Sequence, residues 1–175
     1  RQNTIEGSVP FPDHLTKLGI LPGIKVDKGA KQLANTENEK ITDGLDGLRD
    51  RLKEYYELGA RFAKWRAVIT IGDNMPTAYC ISANAHALAR YAALCQEQGL
   101  VPIVEPEILM DGTHTIDESY QLTTETLYNV FYELVSQGVE LEGIVLKPNM
   151  VLSGYDCSDQ ASVEQVAEMT VDCFL

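Results

Sequence analysis

Cations are the scarcer of the charges in this sequence: 14 Lys and Arg stand against 26 Asp and Glu, for a formal net charge of −12. No Lys/Arg-rich run is available to neutralise a phosphate backbone, which excludes a general binder of nucleic acid or of anionic membrane. No apolar stretch approaches the roughly 20 residues of a membrane span, and no signal-peptide pattern opens the chain. The four cysteines, Cys80, Cys95, Cys157 and Cys173, have neither CxxC spacing nor the density of a disulfide framework. They read as reduced thiols of a cytosolic-type compartment. His14, His86 and His114 show no metal-ligand spacing, which argues against a hydrolytic zinc site. No Walker loop or GxGxxG occurs, and Gly44 and Gly47 are a loose pair with no phosphate-loop context. What remains is a chain of 175 residues, 45% hydrophobic and 23% charged, enough for one ordinary domain with an adequate core.

Strand-length apolar runs alternate with helix-period segments closed by glycine. Residues 1–18 contain Pro10 and Pro12 and end in a short helical turn around His14 to Leu18. Residues 21–28 form a strand whose period of two puts Lys25 and Asp27 on one face. A polar loop follows, to about Glu39. Ile41, Leu45, Leu48, Leu52 and Tyr55 then recur at helical spacing until Gly59. In the next strand, residues 62–71, Lys64, Arg66 and Val68 share one face while Trp65, Ala67 and Ile69 share the other. Two cations inside an apolar strand are a local conflict of the kind found at sites of function.

Ile81, Ala85, Leu88, Ala92 and Cys95 mark a helix closed by Gly99. The strand over 100–108 carries Glu105 and Glu107 on one face at its end. Thr115 to Glu118 is a capping box for a helix with Leu127, Val130, Phe131, Leu134 and Val135 as its apolar stripe, closed by Gly138. Tyr55, Tyr56, Tyr128 and Tyr132 fall on helices and read as packing residues. Residues 141–149, LEGIVLKPN, then lead from a Gly turn through three apolar residues to Lys147, before Pro148 stops the pairing. A second capping box, Ser162 to Gln165, opens a last helix with Val163, Val166, Ala167, Thr170, Val171 and Phe174 along one face. No Gly, Asn or Pro closes that helix before Leu175, and no initiator Met precedes Arg1, so the expectation is an incomplete chain.

Single helices between strands predict right-handed βαβ units and a parallel α/β sheet. Lys25, Lys64, Glu105 and Lys147 mark successive strands and stand 39, 41 and 42 positions apart. That spacing suits a (β/α)8 TIM barrel, for which eight units would need roughly 320 residues. The reading is one incomplete barrel domain over 1–175, about half of the full structure.

Chemistry in such barrels sits at the C-terminal ends of the strands. Taken singly, each charge there is a solvated strand end or half of an ion pair. Together, Lys25, Asp27, Lys64, Arg66, Glu105, Glu107 and Lys147 make one cleft, rich in cations within an acidic protein. It suits a small anionic substrate, phosphorylated rather than carboxylated. An amine at the mouth of an apolar strand loses hydration, and in its neutral form is a nucleophile toward carbonyl carbon. Lys147 is the candidate Schiff-base amine, Lys64 the neighbouring cation that disfavours a second charge, and Glu105 the carboxyl group that moves protons.

Four segments, GIKVDKG (23–29), FAKWR (62–66), VPIVEPEIL (101–109) and LEGIVLKPN (141–149), closely resemble class I fructose-1,6-bisphosphate aldolase in order and spacing. The resemblance covers essentially the whole chain. It implies a metal-independent and cofactor-free lyase of glycolysis and gluconeogenesis. Such an enzyme cleaves fructose 1,6-bisphosphate reversibly to dihydroxyacetone phosphate and glyceraldehyde 3-phosphate.

By that resemblance Lys147 matches the Schiff-base lysine, and Glu105 the glutamate that serves as acid and base in carbinolamine formation and dehydration. Lys64 matches the lysine beside it, which binds substrate and handles charge. Lys25 and Arg66 match cations that contact substrate oxygens or phosphate, and Glu107 a carboxylate that orders the lysines. The family's barrel strands three to six correspond to this chain. Strands one and two, the first with an aspartate implicated in carbon–carbon cleavage, are expected upstream of Arg1. Strands seven and eight, with much of one phosphate site, and a C-terminal tail tyrosine are expected beyond Leu175.

The isolated 175 residues are therefore expected to be inactive or nearly so. The partner implied is a small sugar phosphate, with no nucleic acid and no membrane. The full-length form is expected to be a homotetramer in the cytoplasm, a plastid location staying open. Two other readings compete. One is another Schiff-base sugar-phosphate lyase on the same barrel, such as a transaldolase or deoxyribose-phosphate aldolase. The other is a truncated, non-catalytic barrel acting as a binding or scaffold protein.

Overall fold

A computed structural model describes residues 4–5 and 7–175. A small antiparallel pair, β1 (Thr4–Ile5) and β2 (Val9–Pro10), runs directly into helix α1 (Phe11–Lys17). Pro12 sits in the first turn of α1, where its missing N–H is no loss. Strand β3 (Gly23–Lys25) follows, then an antiparallel hairpin of β4 (Ala30–Gln32) and β5 (Lys40–Thr42). Helix α2 (Leu48–Glu57), strand β6 (Phe62–Ile69), helix α3 (Ala78–Glu97) and strand β7 (Val101–Ile108) come next. Helix α4 (Ile116–Ser136), a 3-10 turn at Leu141–Gly143, strand β8 (Val145–Leu146) and helix α5 (Val163–Cys173) complete the order.

The main sheet has the order β3-β6-β7-β8, every neighbouring pair parallel. Strand order thus follows chain order, with a helix in each connection, as in consecutive units of a (β/α) barrel. Period two divides the sheet. Ala63, Trp65, Ala67 and Val104 face the helices and join Leu88, Ala89, Tyr91 and Ala92 of α3 and Val130 and Leu134 of α4 in one buried core. Trp65 stacks on Tyr91 with ring centroids 5.5 Å apart, and the Tyr91 hydroxyl donates to the Ala63 carbonyl at 2.7 Å. The core therefore fixes the strands from one side and leaves the opposite face to the charged residues.

The expected capping boxes at Thr115 and Ser162 are both formed. Elsewhere the structure differs from the sequence reading. Helix α2 starts at Leu48, not near Ile41, which lies in β5. Ile41 and Leu45 mimic helical spacing, but Gly44 between them has φ +134°, outside any helix, and a Cβ there would crowd the Lys28 amide nitrogen and Trp65. The expected polar loop before it instead contains the β4–β5 hairpin. Tyr128, Tyr132 and Val135 are exposed on α4. Its buried stripe is Thr123, Leu127, Val130 and Leu134, one position round the helix from the tyrosines. Helix α5 buries none of its residues, so its apolar face, including Val163 and Val171, is open.

Candidate active site

The sheet register brings the charged residues together. In β6 and β7, Lys64 pairs with Ile103, Arg66 with Glu105 and Val68 with Glu107. Lys25 of β3 lies opposite Lys64, and Val145 of β8 opposite Ile103. Lys147 follows immediately after β8 and is held to β7 by its own amide, which donates to the Val104 carbonyl at 2.9 Å. Lys25, Lys64, Arg66, Glu105, Glu107 and Lys147 therefore share the face away from the helices, running from Lys64, the third residue of β6, to Glu107, one residue before the end of β7.

At the centre is one carboxylate between two amines. Lys147 Nζ donates to Glu105 Oε1 at 2.7 Å, and Lys64 Nζ lies 3.0 Å from Glu105 Oε2. The Glu105 side chain is 1% exposed, against 34% for Lys64 and 56% for Lys147. A buried carboxylate is tolerable only when its charge is met, and here two cations meet it. Within these 175 residues Lys147 follows the outermost strand of the sheet, and among the described residues its surroundings are set by the ion pair with Glu105.

The remaining charges form two further pairs. Arg66 Nη1 is 3.2 Å from Glu107 Oε2. Lys25 Nζ donates to the carboxylate of Asp27, whose Oδ1 also accepts the Gly29 N–H at 2.9 Å. Lys25 is thus tied to Asp27 and not to the central group. Thr42, from the unforeseen hairpin, donates its hydroxyl at 2.7 Å to the Arg66 carbonyl and braces β6 beneath the site. Its position 24 residues upstream gives no sequence signal for this contact.

The loops after β7 and β8 are zipped together beside the site. The amides of Gly154, Tyr155 and Asp156 donate to the carbonyls of His114, Met110 and Gly112, at 2.8, 2.9 and 2.9 Å. Gly154 permits this approach, since a Cβ there would lie 2.2 Å from the Gly112 oxygen. His114 is buried in this wall; burial lowers its pKa from the ordinary value, with the charge of Glu118 acting in the opposite sense. Among the described residues no group of three His, Cys, Asp or Glu side chains could hold a metal ion, and no helix is long and apolar enough to cross a membrane.

An amine within hydrogen-bond reach of a buried carboxylate, with a second cation on its far oxygen, is equipped for proton-coupled addition to a carbonyl. The family model for glycolytic class-I fructose-bisphosphate aldolase matches residues 1–175. The chain belongs to the class-I fructose-bisphosphate aldolase family. A probable class 1 fructose-bisphosphate aldolase of Xylella fastidiosa is 62% identical over 173 residues, 99% of this chain and 52% of the relative. The cytosolic fructose-bisphosphate aldolase 4 of Arabidopsis thaliana is 53% identical over 170 residues, 97% of this chain and 43% of its own length.

Among solved structures, the aldolase of Plasmodium falciparum, in a ternary complex with TRAP and a small-molecule inhibitor, superposes with a TM-score of 0.95. It is 48% identical, and the match covers 98% of this chain and 50% of that one. The fold is that of part of an aldolase (β/α) barrel. The chain spans about half the length of the curated relatives it matches.

Proposed function

We propose that this chain carries the imine-forming half of a class I fructose-bisphosphate aldolase active site. The observation that supports this most directly is Glu105, buried between the amines of Lys64 and Lys147 at 3.0 and 2.7 Å. The Lys147 ammonium passes a proton to Glu105 and becomes a nucleophile. Its nitrogen adds to the ketone carbon of the sugar phosphate as the carbonyl π bond breaks onto oxygen, and one of the two protons left on nitrogen moves to that oxygen, giving a carbinolamine. Glu105, now protonated, returns the proton to the carbinolamine hydroxyl, which leaves as water, and the Lys147 nitrogen lone pair closes the iminium.

Lys64 keeps a positive charge on the other carboxylate oxygen throughout and so stabilises Glu105 when it is ionised. The iminium is the electron sink for cleavage. The bond between carbons 3 and 4 breaks with its electrons forming the enamine, and the proton of the carbon-4 hydroxyl goes to a base. Family resemblance gives that role to an aspartate of strand one, outside these residues. Lys25 and Arg66 bind phosphate or hydroxyl oxygens, while Glu107 and Asp27 hold those cations in place. The reading extends to a cytoplasmic enzyme acting on a sugar phosphate as a homotetramer.

Alone, the 175 residues present two open parallel edges, β3 and β8, and no turnover is expected from them. The test belongs in the closed barrel, meaning the full-length protein or this chain joined to the flanking segments of its Xylella relative. Borohydride added with dihydroxyacetone phosphate should fix a stable adduct on Lys147, found by peptide mass mapping and absent after Lys147→Met. A folded closed barrel with no adduct would overturn the reading in favour of a non-catalytic binding protein. Cleavage of another sugar phosphate faster than fructose 1,6-bisphosphate would place it with the other Schiff-base lyases.

A further inference from the structure

Parallel strands expose alternate backbone groups to each neighbour, so the residues of β7 that face β8 are Pro102, Val104, Pro106 and Ile108. Val104 accepts from the Lys147 amide at 2.9 Å, the last backbone bond between these strands among the described residues. Pro106 comes next and has no N–H to give to the Lys147 carbonyl. The sheet ladder is therefore interrupted at the level where Lys147 must hold its amine against Glu105. In addition, β8 is only two residues long, so it makes few rungs with β7. Backbone pairing alone leaves the lysine end of this strand weakly attached.

Asn149 makes up the loss. Its Oδ1 accepts the Ile108 N–H at 3.2 Å, the next β7 donor beyond Pro106 that faces β8. Its Nδ2 donates to Thr123 Oγ1 at 3.1 Å and to the Met150 carbonyl at 3.0 Å. Thr123 lies on the buried stripe of α4 and is itself 1% exposed. One amide thus ties the chain just past Lys147 both to the end of β7, which carries Glu105, and to the helix that packs behind it. No other side chain among the described residues bonds both β7 and α4 from the 147–149 segment.

We propose that Asn149 is a positioning residue for the Schiff-base step, substituting side-chain bonds for the missing ladder and keeping Lys147 Nζ on Glu105. This rests on the function proposed above. Asn149 does not reach the reacting atoms; it acts through the strand end. Displacement of the nucleophile by about 1 Å is enough to lower a rate by about a hundredfold. A positioning role therefore predicts a loss in kcat with little change in substrate binding.

The experiment uses the closed barrel with fructose 1,6-bisphosphate as substrate and dihydroxyacetone phosphate with borohydride as the trapping probe. Asn149→Ala should lower kcat and the trapping rate by about a hundredfold, with KM within about threefold of wild type. Thr123→Val, which leaves the Ile108 bond intact, should lower both by about tenfold, and Thr123→Ser, which restores a hydroxyl, should recover them. The Thr123 pair decides the matter if Asn149→Ala does not fold. Unchanged trapping in folded Asn149→Ala or Thr123→Val, or a loss that Thr123→Ser does not repair, would overturn the proposal while leaving the imine chemistry standing. No trapping in the wild-type barrel would remove the functional reading itself and this inference with it.

Discussion

Glu39 reaches across to the N-terminus of α3 and binds Thr77 with both carboxylate oxygens. Oε1 accepts the Thr77 amide at 2.6 Å and Oε2 the Thr77 hydroxyl at 2.7 Å. Thr77 in turn accepts the Cys80 N–H at 3.1 Å as the N-cap of α3. A buried glutamate on the hairpin thus caps the helix that packs behind β6 and β7. A negative charge at a helix N-terminus is also favoured by the helix dipole.

Glu39→Ala removes both charge-assisted bonds and leaves the Thr77 amide without that acceptor. The expected cost is about 2–3 kcal/mol of stability, seen as a lower urea midpoint of the closed barrel at an unchanged slope. A midpoint equal to wild type would show that the hairpin does not hold α3.

Gly154→Ala sets a Cβ 2.2 Å from the Gly112 carbonyl oxygen and 3.1 Å from the His114 nitrogen, both backbone atoms with little room to move. The loop pair should separate, at about 1–3 kcal/mol. Hydrogen exchange should accelerate at the amides of 154, 155 and 156, the three that bridge the loops. Unchanged protection there would mean that the zipper is not what keeps the loops together.

Burial pushes the Cys80 thiol up to about 11 and the Cys95 thiol up to about 12. Both should react with a disulfide reagent at pH 8 about a hundredfold more slowly than the half-buried Cys157. The stability consequence has a definite sign. Each folded pKa lies above the unfolded value of about 8.5, so the contribution is intact only below about pH 7.5, where the thiols of both states are protonated. It is lost as pH rises from there through 11 to 12, because the unfolded chain ionises first. Denaturation melts between pH 8 and 11 check the direction; rising stability over that range would contradict it.

Glu105→Gln keeps the shape of the side chain but removes the only carboxylate that both Lys64 and Lys147 touch among the described residues. Proton delivery to the departing water is lost, and kcat should fall by about 10²–10⁴-fold. Trapping at Lys147 should slow in parallel. Full activity in this variant would transfer the acid role to another group.

Much of the fold was legible because it rests on local rules. Period two separated Lys64 and Arg66 from Trp65 and Ala67, and the structure places them on opposite faces of the sheet. Thr115 and Ser162 announced their helices because a capping box is complete within four residues. The failures have equally local causes. Ile41 and Leu45 fit a helical period that Gly44 forbids, so a hairpin was hidden inside an apparent loop and helix. Tyr128 and Tyr132 sit on helical spacing without facing the core, because residue type does not say which side of α4 meets the sheet.

By itself the sequence determined which residues carry charge on the strands and, through four short motifs, the family to which they belong. Only the tertiary structure decided who pairs with whom. Glu105 meets both Lys64 and Lys147 because three strands lie in one parallel register, and register is a relation between segments about 40 residues apart that no local period contains. Lys25 pairs with Asp27 rather than with that group, and Asn149 replaces a rung that Pro106 cannot make. Each of these depends on distances of a few ångströms, set by the packing of α3 and α4 behind the sheet, and folding is what brings such groups within reach.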